Sequence, residues 1–243
     1  MQQQKKASVL GDSVSTYEGC NPQGYSVFYH AFEIEQNGLT LWQDMWWARV
    51  MNWLNARPLV IDAYSGSRAA GTGFPAASCE ARLTNLGRDS ETPDVILVYI
   101  GMNDFGYGVP LRRRHRFGPE DMTVFADAYA HLLRQLRRLY PKAWILCGTL
   151  MRTRLRGEPE WKTPERMAGD TLDAFNEVIR ECCREASCVL ADLAQTGMRY
   201  ETLDGAHPTA DGHKTLADTW ISCLMQQDLP RAMKRRDLQE LSL

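Results

Sequence analysis

Ala7-Ser8-Val9-Leu10-Gly11-Asp12-Ser13 lies almost at the start of the chain, and the rest is read outward from it. Four small or apolar residues stopped by glycine read as a buried strand ending in a tight turn. The turn presents Ser13 at the carboxyl edge of that strand, which is where open α/β sheets keep their chemistry. Alone, Gly-Asp-Ser says little, because Asp and Ser are ordinary turn and cap residues. Its meaning depends on three later stretches.

The pattern beyond Ser13 alternates strands with helices. Residues 14–40 are irregular, with Gly19, Asn21-Pro22, Gly24 and Asn37-Gly38 among Tyr17, Tyr25, Phe28, Tyr29 and Phe32. Such a stretch is too long for an ordinary βα connection, and reads either as a pocket wall or lid beside Ser13 or as an excursion packed into the body. Apolar spacing then predicts a helix over 41–55 and a strand over 58–63, followed by the glycine-bearing loop Tyr64-Ser65-Gly66-Ser67-Arg68. Val95-Ile96-Leu97-Val98-Tyr99-Ile100 is continuous and β-branched, the signature of a central buried strand, and it ends in Gly101-Met102-Asn103-Asp104. A helix over 125–139, a strand over 144–147, a helix over 167–186, a short strand over 188–190 and a helix over 210–225 complete the pattern. The charged residues 226–243 read as a surface helix or a loosely held tail. These elements predict one domain, about 7–225, built on a parallel five-stranded sheet with helices on both faces.

Composition narrows the class. The chain of 243 residues is 44% hydrophobic and 24% charged, and its net charge of -2 gives no reason to expect a nucleic-acid or anionic-membrane partner. No stretch is long enough to span a bilayer, and the polar start Met1-Gln2-Gln3-Gln4-Lys5-Lys6 lacks the apolar segment of a secretory signal. Seven scattered cysteines read as reduced core residues of a cytoplasmic protein. A zinc site on Cys182, Cys183 and Cys188 is disfavoured, because paired C-x-x-C units are absent. No metal and no organic cofactor is expected, and the oligomeric state is not legible.

Acyl transfer needs a nucleophile, a base, a group that orients the base, and donors for the oxyanion. Ser13 is the candidate nucleophile. Asp204 and His207, three apart in Asp204-Gly205-Ala206-His207-Pro208, can set a carboxylate against one ring nitrogen and leave the other for Ser13. Asn103 can point its amide into the same space, and the backbone N–H groups of Ser13 and Gly66 can complete an oxyanion hole, with glycine at 66 leaving room for the substrate oxygen.

These four blocks, in this order, resemble the SGNH hydrolase family, also called GDSL lipases and esterases. The resemblance implies a flavodoxin-like three-layer α/β/α sandwich and hydrolysis of an ester without a cofactor. It also implies Ser13 as nucleophile, His207 as general base and then acid, Asp204 as its orienter, and Ser13, Gly66 and Asn103 as the oxyanion hole. Val14 stands where many members carry leucine, and Asp62-Ala63-Tyr64 departs from the family's usual asparagine and glycine before Gly66.

The substrate is a small molecule. The absence of an extended aliphatic loop favours a small, acetyl-like acyl group on a polar, carbohydrate-like alcohol over the long chains of lysophospholipases and thioesterases, and an acyltransferase would use the same residues. A non-catalytic binding module and a metal-dependent phosphohydrolase are the readings from other classes. Asp12 and Asp104 read either as substrate-binding or as turn residues. Arg112, Arg113, Arg114 and Arg116 after the third strand, and Arg152, Arg154 and Arg156 after the fourth, could meet an anionic group on the substrate, with a solvated surface the favoured reading. Trp161 could stack on a sugar ring.

Overall fold

The structure, a computed structural model, describes residues 4–112 and 119–240. Among the described residues are seven strands, β1 (Lys5–Gly11), β2 (Ala56–Ala63), β3 (Val95–Tyr99), β4 (Trp144–Gly148), β5 (Arg152–Leu155), β6 (Val189–Ala191) and β7 (Arg199–Thr202). The helices are α1 (Ala31–Gln36), α2 (Trp46–Trp53), α3 (Glu80–Thr84), α4 (Met102–Tyr107), α5 (Phe125–Leu139), α6 (Leu172–Glu185), α7 (Ala210–Gln226) and α8 (Leu229–Glu240).

The main sheet has the order β2-β1-β3-β4-β6, and every pair is parallel. All five strands therefore end on one edge. The direction of winding reverses between β1 and β3, so the loops after β1 and β3 diverge and leave a crevice there, the usual ligand site of an open α/β sheet.

Side-chain alternation separates the layers. Tyr99 and Gly148 face α2 and α7, where Trp46 stacks on Trp220 at 5.3 Å and meets Tyr99 edge-on at 5.5 Å. The other face is covered by α5 and α6, with Phe125 and Phe175 in contact at 4.8 Å and Phe105 beside Phe175 at 6.0 Å. These rings are fully buried, or nearly so. Each contributes about 1.5–3 kcal/mol relative to an exposed side chain. The result is the three-layer sandwich expected from the sequence.

Three boundaries differ from the sequence expectation. The helix predicted over 41–55 breaks into a 3-10 turn at Trp42–Asp44 and α2, because the Asp44 carboxylate folds back to accept from Thr40 and Leu41 and Met45 is extended. The helix predicted over 167–186 starts only at Leu172, capped by the Thr171 hydroxyl, which accepts from Ala174 N–H. The loop expected after β4 contains β5, which pairs in parallel with β7 as a separate two-stranded sheet. Thr153 and Tyr200 are buried while Arg154 is exposed, in two four-residue segments too short and too charged to be recognised as strands from sequence.

The C-terminal residues form α8, whose Leu229 and Met233 are buried, while Arg236 lies over the Trp144 ring. Among the described residues, no helix is long and apolar enough to cross a membrane.

Candidate active site

Ser13 opens a 3-10 turn directly after β1. Asp12 caps it, its carboxylate accepting from Val14 N–H at 3.0 Å, and the Ser13 carbonyl accepts from Thr16 N–H and the Thr16 hydroxyl. The first N–H of such a turn has no partner within it, so the Ser13 N–H is open to an incoming oxygen. Two indoles hold the turn from below, Trp46 donating to Ser15 Oγ and Trp47 to the Ser15 carbonyl. Gly11 is required by this packing, because a Cβ there would stand 2.7 Å from Ser15 Oγ.

His207 Nε2 lies 2.9 Å from Ser13 Oγ, although the residues are 194 apart in the chain. His207 Nδ1 lies 2.6 Å from Asp204 Oδ2. An ionised carboxylate only accepts, so the proton belongs on Nδ1 and Nε2 is left to accept from the serine hydroxyl. Burial opposes charge on Asp204, but the His207 ring and the N–H groups of His207 and Ala206 outweigh it and bring the carboxyl down to about 2. Asp204 is thus ionised throughout the neutral range.

The loop bearing this pair is held on several sides. Thr153 of β5 donates to the Gly205 carbonyl, Tyr200 of β7 to Ala206, and Tyr29 to Pro208 at 2.7 Å. Phe28 stacks on the imidazole with ring centroids 3.4 Å apart. The stretch 14–40 thus meets both readings at once: it packs Tyr29 into the body and walls the site with Phe28.

Gly66 follows β2 with φ of +79°, a left-handed conformation that favours glycine, and a Cβ there would project into open space. Asn103, in the first turn of α4, donates its amide to the Ser67 carbonyl at 2.8 Å, which leaves the second N–H of that amide for a ligand. Asp104 has both oxygens engaged, accepting from Ala69 and Ala70 N–H at 2.7 and 2.9 Å. Burial pushes its carboxyl up to about 7, against the two N–H bonds and the charge of Arg68. Asp12 is likewise buried, and burial raises its carboxyl to about 6 against the Val14 N–H and the charges of His207 and Arg82. Both acids face loop backbone, in keeping with their reading as turn residues.

The arginines suspected from sequence are engaged elsewhere. Arg152 pairs with Asp173 at 2.9 Å, Arg154 and Arg156 both pair with Glu201, and Arg112 pairs with Glu181. Arg113, Arg114 and Arg116 lie outside the described residues. Trp161 lies against Gly205, its ring 2.9 Å from where a Cβ would stand, so it borders the His207 loop.

Arg82 escaped the sequence reading, since it sits in a short helix among polar residues. It is fully buried, ion-paired to Asp62, and donates to the carbonyls of Gly11, Asp62 and Pro75 and to Ser67 Oγ. One guanidinium therefore ties the end of β1 to the Gly66 loop. Asn85 and Tyr25 complete the Asp62 carboxylate at 2.8 and 3.2 Å. Nothing local in Glu80–Thr84 signals this.

The model of the GDSL-like Lipase/Acylhydrolase family matches residues 9–215. The chain belongs to this family. Among solved structures, a Bacteroides ovatus protein described as a GDSL-like lipase is 26% identical, with a TM-score of 0.70 over 93% of this chain and 100% of that one. A Bacteroides uniformis protein of the same description is 28% identical, with a TM-score of 0.68 over 91% and 96%. The fold is shared by a family two carbohydrate esterase from Clostridium thermocellum, solved with cellohexaose, at 19% identity and a TM-score of 0.54 over 93% of this chain and 65% of that one. No curated protein matches the chain. As a GDSL-like acylhydrolase, it is an ester-bond hydrolase acting on small-molecule substrates.

Proposed function

We propose that this hydrolase removes a small, acetyl-like acyl group from a carbohydrate-like alcohol through an acyl-enzyme on Ser13. The observation that carries the reading is the unbroken chain from Ser13 Oγ to His207 Nε2 at 2.9 Å and from His207 Nδ1 to Asp204 at 2.6 Å. His207 takes the hydroxyl proton as Ser13 attacks the ester carbonyl, and Asp204 stabilises the imidazolium. The oxyanion meets the N–H groups of Ser13 and Gly66 and the free N–H of the Asn103 amide. His207 then returns the proton to the leaving alcohol, and water repeats the sequence to free the acid.

The carbohydrate-like alcohol is supported by fold likeness to a carbohydrate esterase and an acetyl xylan esterase. The first is the cellohexaose-bound protein, and the second, from Geobacillus stearothermophilus, is 18% identical with a TM-score of 0.55. Trp161 beside Gly205 offers a ring for a sugar face.

The test is hydrolysis of p-nitrophenyl acetate, butyrate and octanoate, then of acetylated xylo-oligosaccharides, by the wild type and Ser13→Ala. Activity that falls with acyl length and disappears in the variant is expected. Preference for octanoate overturns the small-acyl reading, and equal activity in both proteins overturns Ser13 as nucleophile.

A further inference from the structure

One cation beside the site was not singled out from sequence. Arg68 lies between Ser67, whose carbonyl accepts the Asn103 amide, and Ala69, whose N–H is held by Asp104. Its side chain is exposed, and its guanidinium carbon stands 5.9 Å from the centre of the Tyr107 ring. Tyr107 is four residues beyond Asn103 in α4, so the two share a helix face. Tyr107 is 69% exposed, an open platform rather than a core residue.

Arg68 differs from the arginines of β5 and its following turn. Arg152, Arg154 and Arg156 are each neutralised by a carboxylate, whereas Arg68 makes no ion pair with any described residue. Asp104 feels its charge, but both Asp104 oxygens are already taken by backbone N–H groups. A guanidinium that is exposed, makes no ion pair and rests near an aromatic ring keeps its planar set of N–H donors for an anion, and a carboxylate matches that set with two parallel bonds.

We propose that Arg68, held over Tyr107, forms an anion subsite that receives a carboxylate carried by the ester substrate. The proposal rests on the reading of Ser13, Gly66 and Asn103 as the reacting centre. It narrows the substrate class to acidic esters, with the carboxylate on the alcohol half where the acyl group is acetyl-like; a carboxylate on the acyl half would replace that acetyl-like reading.

Paired esters separate the two halves. Mono-4-nitrophenyl adipate carries the carboxylate on the acyl side and is compared with its neutral methyl ester. 4-Acetoxybenzoate carries it on the alcohol side and is compared with 4-acetoxybenzamide. The wild type is expected to favour one anionic ester over its neutral partner about tenfold in kcat/KM, mainly through KM, and to lose that preference as salt rises. In Arg68→Met the anionic-to-neutral ratio falls to near one, and Arg68→Lys retains part of it. Arg154→Met, which removes a cation already paired with Glu201, keeps the wild-type ratio.

No preference in the wild type, an unchanged ratio in Arg68→Met, or an equal loss in Arg154→Met overturns the subsite. If no ester is turned over by any protein, the esterase reading fails, and the subsite is judged by calorimetric binding of 4-acetoxybenzoate to Ser13→Ala. Binding that Arg68→Met abolishes supports the subsite, and absent or unchanged binding overturns it.

Discussion

The Phe28 ring lies flat on the imidazole of His207, with planes 8° apart and centroids separated by 3.4 Å. Tyr29 meets the same imidazole nearly edge-on, at 88° and 6.4 Å. One face of the imidazole is thereby covered, Nδ1 is held by Asp204, and Nε2 is left facing Ser13. The irregular segment of residues 14–40 thus helps set the angle at which His207 meets Ser13.

Removing that cover should loosen the base. Phe28→Ala is expected to lower kcat on p-nitrophenyl acetate about tenfold or more, because small misplacements of a reacting group are costly, while Phe28→Tyr keeps most of the activity. Equal rates in Phe28→Ala and the wild type would show that Asp204 alone orients the ring.

Asp204→Asn separates charge from shape. The carboxamide oxygen can still accept from His207 and Ala206 N–H, so the loop should persist, while the orienting negative charge is lost. A fall in kcat of about 10⁴ is expected, the scale typical of a triad aspartate changed to asparagine, with an unaltered melting temperature. A loss below tenfold would remove Asp204 from the mechanism.

Arg82 is a test of stability. Arg82→Met leaves the buried Asp62 carboxylate without its cation, which should cost about 3–5 kcal/mol in urea unfolding. Arg82→Met combined with Asp62→Asn should recover part of that loss, since an unpaired buried charge costs more than a lost pair. A double variant no more stable than Arg82→Met would place the cost in the lost carbonyl bonds instead.

His213 links stability to pH. It is fully buried and accepts from Trp46 N–H at 3.3 Å, and burial, with the charge of Arg49, pushes its imidazole down to about 3. The folded state therefore binds fewer protons than the unfolded chain below the ordinary histidine value of about 6.5. This contribution is complete above that pH and is lost as pH falls towards 3, by at most about 1.4 kcal/mol per pH unit. Asp12 and Asp104 act in the opposite sense. Their raised values favour the folded state in acid, and that contribution fades as pH rises through about 6 and 7. Comparing His213→Asn with the wild type cancels the acids. The variant should be less stable at pH 8, with the gap unchanged down to about pH 6.5 and narrowing from there to pH 4.5. A gap constant with pH would mean that His213 does not titrate on unfolding.

Much of this architecture is legible because it is written in local pattern. Val95–Tyr99 has no polar interruption and could only be a doubly covered strand, and the residues after β1, β2 and β3 had to gather on one edge once the strands were parallel. Ser13, Asn103, Asp204 and His207 stand out because they belong to short polar blocks that follow one another in a set order on the strand–helix pattern, although each block alone is weak. Arg152 and Trp161 illustrate the limit: sequence placed both near the site, but only the fold shows Arg152 turned to Asp173 and Trp161 laid against Gly205.

Periodicity, turn chemistry and side-chain type are properties of neighbouring residues, so the class of fold and the strands of the main sheet are legible in the sequence, and Ser13, Asn103, Asp204 and His207 stand out there as candidate reacting groups. Which groups meet is a property of the folded chain. Phe28 on His207, Arg82 beneath Gly11 and the Gly66 loop, the pairing of β5 with β7, and Arg68 left open over Tyr107 are contacts between segments far apart in the chain. Such contacts leave no periodic trace, because each depends on how packed layers bring side chains together.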